Sequence, residues 1–252
     1  MSGIGDNGCI MTSSELTGGA GFTYEDAVTA SYLVALVCGT TAVGLTPRII
    51  ERVSVQQSSF GEPLDDVIID AIAPSNNSTA RLSLQVKRKL IISSANSNTD
   101  FRQVIQQCWD TLQNDGFRDG TDRVGAVTGT IAEATFRAFI TICEWARASQ
   151  SANIFMHRFL PDSNASQTHR SVLNAVRDIL QDVTGSDPSD DAVHRLFRHL
   201  VLIKLDLLHE GATAEAEAIA SLQRSLIPDH VGRATELWRQ LCGVCQQSCR
   251  VH

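Results

Sequence analysis

Two stretches of this chain carry side chains suited to phosphoryl chemistry. Asp66 stands directly before the apolar run Val67, Ile68, Ile69. Gln85, Val86 and Lys87 form a Gln-x-Lys triplet inside the segment 81–90 (RLSLQVKRKL). Side chains alternate along an extended strand, so Leu82, Leu84 and Val86 share one face while Ser83, Gln85 and Lys87 share the other. Gln85 and Lys87 therefore project side by side. Hydrolysing a phosphodiester at neutral pH calls for a divalent cation that activates water and neutralises charge on phosphorus. Mg²⁺ favours hard oxygen ligands and takes few of them from the protein. Asp66 offers a charged oxygen, Gln85 an amide oxygen and Val86 a main-chain carbonyl, while Lys87 can orient water or stabilise developing negative charge. The interval between Asp66 and Gln85 has room for a strand, a loop and the next strand. Taken by itself the pattern has low specificity, because the same residues occur on ordinary solvated sheet edges.

The elements that must position these residues follow from hydrophobic periodicity. Residues 23–37 read as a helix, with Tyr24, Val28, Tyr32 and Leu36 on one face and Gly39 as its stop. Glu25 lies close to that apolar face, where a carboxylate needs a partner; from there it could reach a metal or its waters. Strand-like runs follow at 48–57, 65–73 and 81–90, separated by turn-rich SSFGEPL and PSNNST. Phe101, Val104, Ile105, Cys108 and Leu112 form a helical stripe with Thr99 as its cap, followed by a strand over 123–131 and a helix over 133–148. Beyond Pro161 only amphipathic helices are expected, at 165–183, 189–209, 213–226 and 230–247, punctuated by Gly185, Pro188, Gly211 and Pro228. The sequence thus predicts an α/β fold: a mixed sheet flanked by helices, then an all-α C-terminal unit.

Other candidates are weaker. Cys242, Cys245, Cys249 and His252 have a zinc-like spacing, yet Trp238, Leu241, Cys242, Cys245 and Cys249 also follow one helical face, which favours buried helix cysteines. His194 and His199 are five apart and do not share a helix face. The Gly-rich stretch 18–21 lacks the Lys-Ser/Thr of a phosphate loop. Ser186–Asp191 is an acidic helix start that needs no metal. Arg118, Arg123, Arg137 and Arg147 read as scattered surface residues. Arg88 and Lys89, beside Lys87, are candidates for phosphate contact, with a solvated strand end as the alternative.

The 252 residues, 43% hydrophobic and 19% charged, are enough for a sizeable core. A net charge of −7 gives no global basic field for nucleic acid, so any such site must be local. The longest apolar run is far shorter than the roughly 20 residues of a membrane span. Seven cysteines in no regular framework fit a reducing compartment. The expectation is a cytoplasmic chain with no membrane segment.

The segment 21–36 (GFTYEDAVTASYLVAL) resembles the first helix of Mrr-type restriction nucleases, which opens Gly-aromatic-x-aromatic-Glu. The segments 61–70 (GEPLDDVIID) and 82–89 (LSLQVKRK) resemble that family's Asp and Gln-x-Lys motifs in order and spacing. The pattern is similar to the double-stranded DNA nuclease domain at the N-terminus of bacterial antiphage effectors, including cyclic-oligonucleotide-activated effectors and STAND-type NTPase defence proteins. Segments 122–129 (DRVGAVTG) and 142–149 (ICEWARAS) share in it, and the likeness covers residues 19–160.

The resemblance implies a PD-(D/E)xK nuclease domain at 19–160, after a flexible tail at 1–18 and before a helical linker or oligomerisation unit at 161–252. It implies Asp66, Gln85 and Glu25 as metal-site residues, joined by the Val86 carbonyl, with Lys87 as catalytic lysine. Mg²⁺, replaceable by Mn²⁺, would be the cofactor and double-stranded DNA the substrate. A homo-oligomer and a downstream sensor or NTPase region outside this chain are further expectations. Gln85 stands where the wider superfamily carries Asp or Glu; the loss of charge weakens metal binding, and the Mrr-like branch shares it. Asp65 is the ambiguous neighbour of Asp66, expected on the opposite face of a regular strand. The rival readings are a non-catalytic interaction module on the same fold and a site-specific restriction nuclease.

Overall fold

A computed structural model describes residues 16–17, 22–45, 47–55, 61–64 and 66–248. A two-residue pair, β1 (Leu16–Thr17) and β2 (Phe22–Thr23), leads into α1 (Tyr24–Val37). Thr23 caps α1. Its hydroxyl accepts the Asp26 N–H at 3.1 Å, and the Asp26 carboxylate accepts the Thr23 N–H at 2.9 Å. Two otherwise orphaned main-chain donors are satisfied reciprocally, which is why the helix begins there.

The central sheet is built from β3 (Ile49–Val55), β4 (Val67–Ile72) and β5 (Thr79–Lys89), which pair antiparallel in sequence order. The helix α2 (Thr99–Leu112) then crosses over to β6 (Arg123–Thr130), which lies parallel to β5. Helices α3 (Glu133–Ala148), α4 (Ala152–His157), α5 (Gln167–Thr184) and α6 (Asp190–His199) lead to β7 (Leu200–Lys204), parallel to β6. Finally α7 (Thr213–Ser225) and α8 (Ala234–Ser248) close the described chain. The strand order is β3-β4-β5-β6-β7. The expected mixed sheet flanked by helices is what the chain forms.

The two faces of the sheet bury separate cores. On one, Val67, Ile69, Leu82, Leu84 and Val86 pack with Tyr24, Val28 and Tyr32 of α1 and with Leu222, Trp238 and Cys242 of α7 and α8. On the other, Val124, Ala126, Leu200 and Leu202 pack with α2, α3, α5 and α6 through residues such as Phe101, Ile142, Ile179 and Phe197. Residues beyond 161 thus supply an edge strand and helices to both faces.

One expectation is corrected here. The 189–209 segment is not a single helix: it turns extended after His199, and Leu200, Val201, Leu202 and Ile203 form most of β7. These four are buried on both faces of the sheet. A strand buried on both sides shows no alternation, so a short apolar run reads equally well as a helical stripe. The short helix α4 also had no distinct signal. Among the described residues no helix is long and apolar enough to cross a membrane.

Cys242 and Cys245 lie on the buried side of α8, where burial pushes the Cys242 thiol up to about 12. Cys249 and His252 lie outside the described residues. His194 and His199 are buried and bonded to main-chain carbonyls, at 2.9 Å to Ala146 and 3.1 Å to Asp122.

β6 and β7 approach closely at Gly125, where an added Cβ would lie 1.8 Å from the Val201 carbonyl oxygen. That oxygen is main chain and cannot rotate away. Gly125→Ala is therefore expected to destabilise the fold by about 3 kcal/mol, at the upper end of overpacking effects, read as a lowered urea midpoint. A change within about 0.5 kcal/mol, as for an ordinary surface substitution, would mean the strands can separate at little cost.

Candidate functional site

β5 is eleven residues long and β4 only six. Their register runs from Ile72 opposite Thr79 to Val67 opposite Leu84, so β5 continues past the end of its neighbour from Gln85 onward. The chain enters β4 through Asp66, at this step. The Asp66 carboxylate accepts the Gln85 side-chain amide at 2.5 Å and the Val86 N–H at 2.7 Å, both on Oδ2. A main-chain donor that β4 leaves unpaired is thereby satisfied by a carboxylate. The N–H and C=O of a strand residue point to the same edge, so the Val86 carbonyl is directed to the same side as Asp66.

Gln85 is 7% exposed. With its NH₂ turned to Asp66, its Oε1 is buried and has no hydrogen-bond partner among the described residues. Such an orphaned acceptor costs about 1–3 kcal/mol unless something occupies it. Lys87 is next on the same face. Its ammonium lies 3.4 Å from Asp100 and 3.3 Å from the amide oxygen of Gln103, both on α2.

Asp66 and Gln85 are joined directly, and Lys87 follows two residues on along β5 with its ammonium turned to α2. Glu25 sits half-buried in the first turn of α1, which packs on the opposite face of the sheet. The Tyr24 hydroxyl donates to the Leu205 carbonyl at 3.0 Å, and the Leu205 N–H donates to the carbonyl of Thr128, the residue paired with Lys87. The start of α1 therefore reaches the same end of the sheet as Lys87. Arg88 and Lys89 alternate to opposite faces of β5, and Lys89 is exposed at the strand end. Arg81 is drawn away from the site into ion pairs with Glu62 at 2.8 Å and Asp70 at 2.9 Å. Asp65 lies outside the described residues.

Among the described residues no three His, Cys, Asp or Glu side chains form a metal-holding group. The oxygens that fit a hard cation are instead the Asp66 carboxylate, the orphaned Gln85 oxygen and the Val86 carbonyl. Their chemistry suits Mg²⁺ or Mn²⁺ better than a thiophilic ion.

Sequence reading passed over Gln107, whose side-chain Oε1 is also buried and without a partner among the described residues. It lies one helical turn from Gln103, about 6 Å along α2, while Gln85 lies about 6.6 Å along β5 from Lys87. The helix α2 packs on β6 and α5, and Gln107 puts a second orphaned oxygen on the helix whose Asp100 and Gln103 hold Lys87. A polar residue on a half-exposed helix position gives no signal of this in sequence. Also missed was the grouping of Arg48, Arg123 and Arg147 around one cavity at the other end of the sheet.

No protein-family model and no curated protein matches the chain. Among solved structures it is similar to the Cap4 SAVED/CARF-domain containing receptor of Moraxella osloensis, at 14% identity and a TM-score of 0.44, covering 91% of this chain and 43% of that one. The Cap4 SAVED/CARF-domain containing receptor of Acinetobacter baumannii gives 11% identity and a TM-score of 0.47, covering 92% of this chain and 43% of that one. The same receptor with the cyclic trinucleotide 3'3'3'-cAAA gives 12% and 0.47, with 92% and 42% covered. The chain spans less than half the length of these structures. Nothing about the site follows from a likeness this low.

Two outcomes are expected from the geometry. Asp66→Ala strips the Val86 N–H and the Gln85 amide of their acceptor and should lower stability by about 1–3 kcal/mol in urea unfolding. No loss would mean that water replaces the carboxylate. Asp70, although burial raises its pKa, is held below the ordinary carboxylate range by hydrogen bonds from Arg81 and Arg52. Its contribution is present above the unfolded pKa of about 3.9 and is lost as pH falls through the folded value. Asp70→Asn should therefore flatten the fall of the urea midpoint between pH 5 and pH 2; an unchanged slope would contradict this.

Proposed function

We propose that this chain is the nuclease domain of a bacterial antiphage effector, a Mg²⁺-dependent endonuclease that hydrolyses double-stranded DNA with little sequence preference. The observation that carries the reading is the buried oxygen of Gln85, without a partner among the described residues and set beside the Asp66 carboxylate, with Lys87 next on the same face. Asp66, Gln85 and the Val86 carbonyl would hold the ion, with Glu25 reaching it or its waters from α1. Bound Mg²⁺ would supply Lewis acidity and a water of lowered pKa. Lys87 would orient the attacking water and offset negative charge at phosphorus, its ammonium steadied by Asp100 and Gln103. Arg88 and Lys89 would contact flanking phosphates. Defence against phage, a homo-oligomeric state and a sensor region outside this chain are drawn from the motif resemblance.

A second reading is favoured by one observation: Lys87 is already engaged by Asp100 and Gln103. In it Lys87 is a structural tie between β5 and α2, and the fold is a non-catalytic scaffold for partner binding.

Plasmid DNA incubated with the purified chain and Mg²⁺ or Mn²⁺ separates these readings. The nuclease reading predicts progressive degradation to a smear, abolished by EDTA and reduced about 100-fold or more by Lys87→Ala, as for loss of one electrostatic catalyst. Discrete fragments would point to a site-specific restriction nuclease. Cleavage that survives Lys87→Ala or EDTA would place the chemistry elsewhere, and an inert wild-type chain would favour the scaffold.

A further inference from the structure

At the opposite end of the sheet from Lys87, three arginines from distant parts of the chain meet. Arg48 precedes β3, Arg123 opens β6 and Arg147 stands in the last turn of α3. Together with Gly44, Leu45 and Val201 they line a cavity of about 350 Å³. That volume holds roughly ten water molecules' worth of ligand, within the range of small-molecule sites. From Arg123 to Thr128, the partner of Lys87, is five residues along β6, or roughly 16 Å. The cavity is therefore separate from the site at Asp66 and Gln85.

Among the described residues the hydrogen-bond partners of these arginines are neutral. Arg48 donates to the Ser78 carbonyl and, at 3.0 Å, to its hydroxyl. Arg123 donates to the Asp122 carbonyl at 2.8 Å, and Arg147 to the Leu200 carbonyl at 3.3 Å. A guanidinium has five N–H donors, so each keeps several in hand. Among the described residues no Asp or Glu lines the cavity. The nearby carboxylates are committed elsewhere: Asp122 to Arg118 and the Arg81 N–H, and Asp119 to Arg195 and His199. Glu144 lines the adjoining groove.

The mutual repulsion is felt within the cluster. Burial first, then Arg147, Arg198 and Arg48, holds Arg123 below the ordinary arginine range, against the pull of Asp122. Guanidinium forks match phosphate oxygens in geometry as well as in charge. Apolar walls from Leu45 and Val201 keep part of the screening water away, which strengthens such pairing.

We infer that the cavity between Arg48, Arg123 and Arg147 binds a small phosphate-bearing anion, at a site independent of the Asp66–Gln85–Lys87 constellation. The anion would supply the negative charge that the protein withholds there. Its source could be free phosphate or a phosphate monoester, since the shared chemistry is a dianionic phosphoryl group. Duplex DNA, too wide for the cavity, is not the ligand proposed.

Thermal unfolding of the full chain tests this in three arms: inorganic phosphate, adenosine monophosphate and a short DNA duplex, each against chloride at matched ionic strength. Phosphate or the monoester is expected to raise Tm by about 3–6 °C at tenfold excess over Kd. Which of the two acts at lower concentration identifies the source. Lys87→Ala should keep the shift. Arg147→Gln should lose it while leaving the anion-free Tm equal to or above that of wild type, because repulsion is relieved; a purely structural arginine would lower it. Should that variant fail to fold, ³¹P line broadening of phosphate by the wild-type chain, reversed by sulfate, tests the same binding. Equal shifts in phosphate and chloride, a shift that survives Arg147→Gln, or stabilisation by the duplex alone would overturn the proposal.

Discussion

The structure turns on a mismatch in strand length. β5 outruns β4, and the first main-chain donor beyond their shared register, the Val86 N–H, lies in a nearly buried position where it must find an acceptor. Asp66 supplies it. The same carboxylate oxygen also draws the Gln85 amide, and that choice leaves the other end of Gln85 without a partner among the described residues. A stability requirement and a ligand-like oxygen are thus two consequences of one contact. Asp100 and Gln103, near the start of α2, hold the Lys87 ammonium in place.

The parallel half of the sheet gives the molecule two chemically distinct ends. β5, β6 and β7 point their carboxyl ends toward Lys87, the end at which open α/β sheets commonly present ligands. Their amino ends carry the arginine cluster, walled by the loop before β3 and by β7. Close approach of β6 and β7, possible only because residue 125 is glycine, keeps both ends in register. The overall charge of −7 conceals this arrangement, because the nearby Asp119 and Asp122 are paired with cations other than the three arginines of the cavity.

Much of this was legible in the sequence where the signal is local. The alternation of 81–90 placed Gln85 and Lys87 on one face, and the spacing of Tyr24, Val28 and Tyr32 marked α1. What depends on long-range register was not legible. Leu200–Lys204 has no period of its own because both its faces are buried, so its strand character comes from pairing with β6. Arg123 and Arg147 looked scattered, and Arg48 drew no notice, because only the sheet order brings the three together. Gln107 is an ordinary helical polar residue until the burial of its side-chain oxygen is known. Cys242 and Cys245 fall on the buried side of α8, as their helical-face spacing predicts.

The central claim is that the Gln85 oxygen and the Asp66 carboxylate form one cation site. Its most direct test is an electron paramagnetic resonance titration of Mn²⁺ into the purified chain, without DNA, beside Asp66→Asn and Gln85→Leu. The account predicts saturable binding in the wild type, weakened at least about tenfold by either substitution, on the scale seen when metal-site partners are removed. Binding of equal strength in all three proteins would contradict it, as would no binding by a correctly folded wild-type chain.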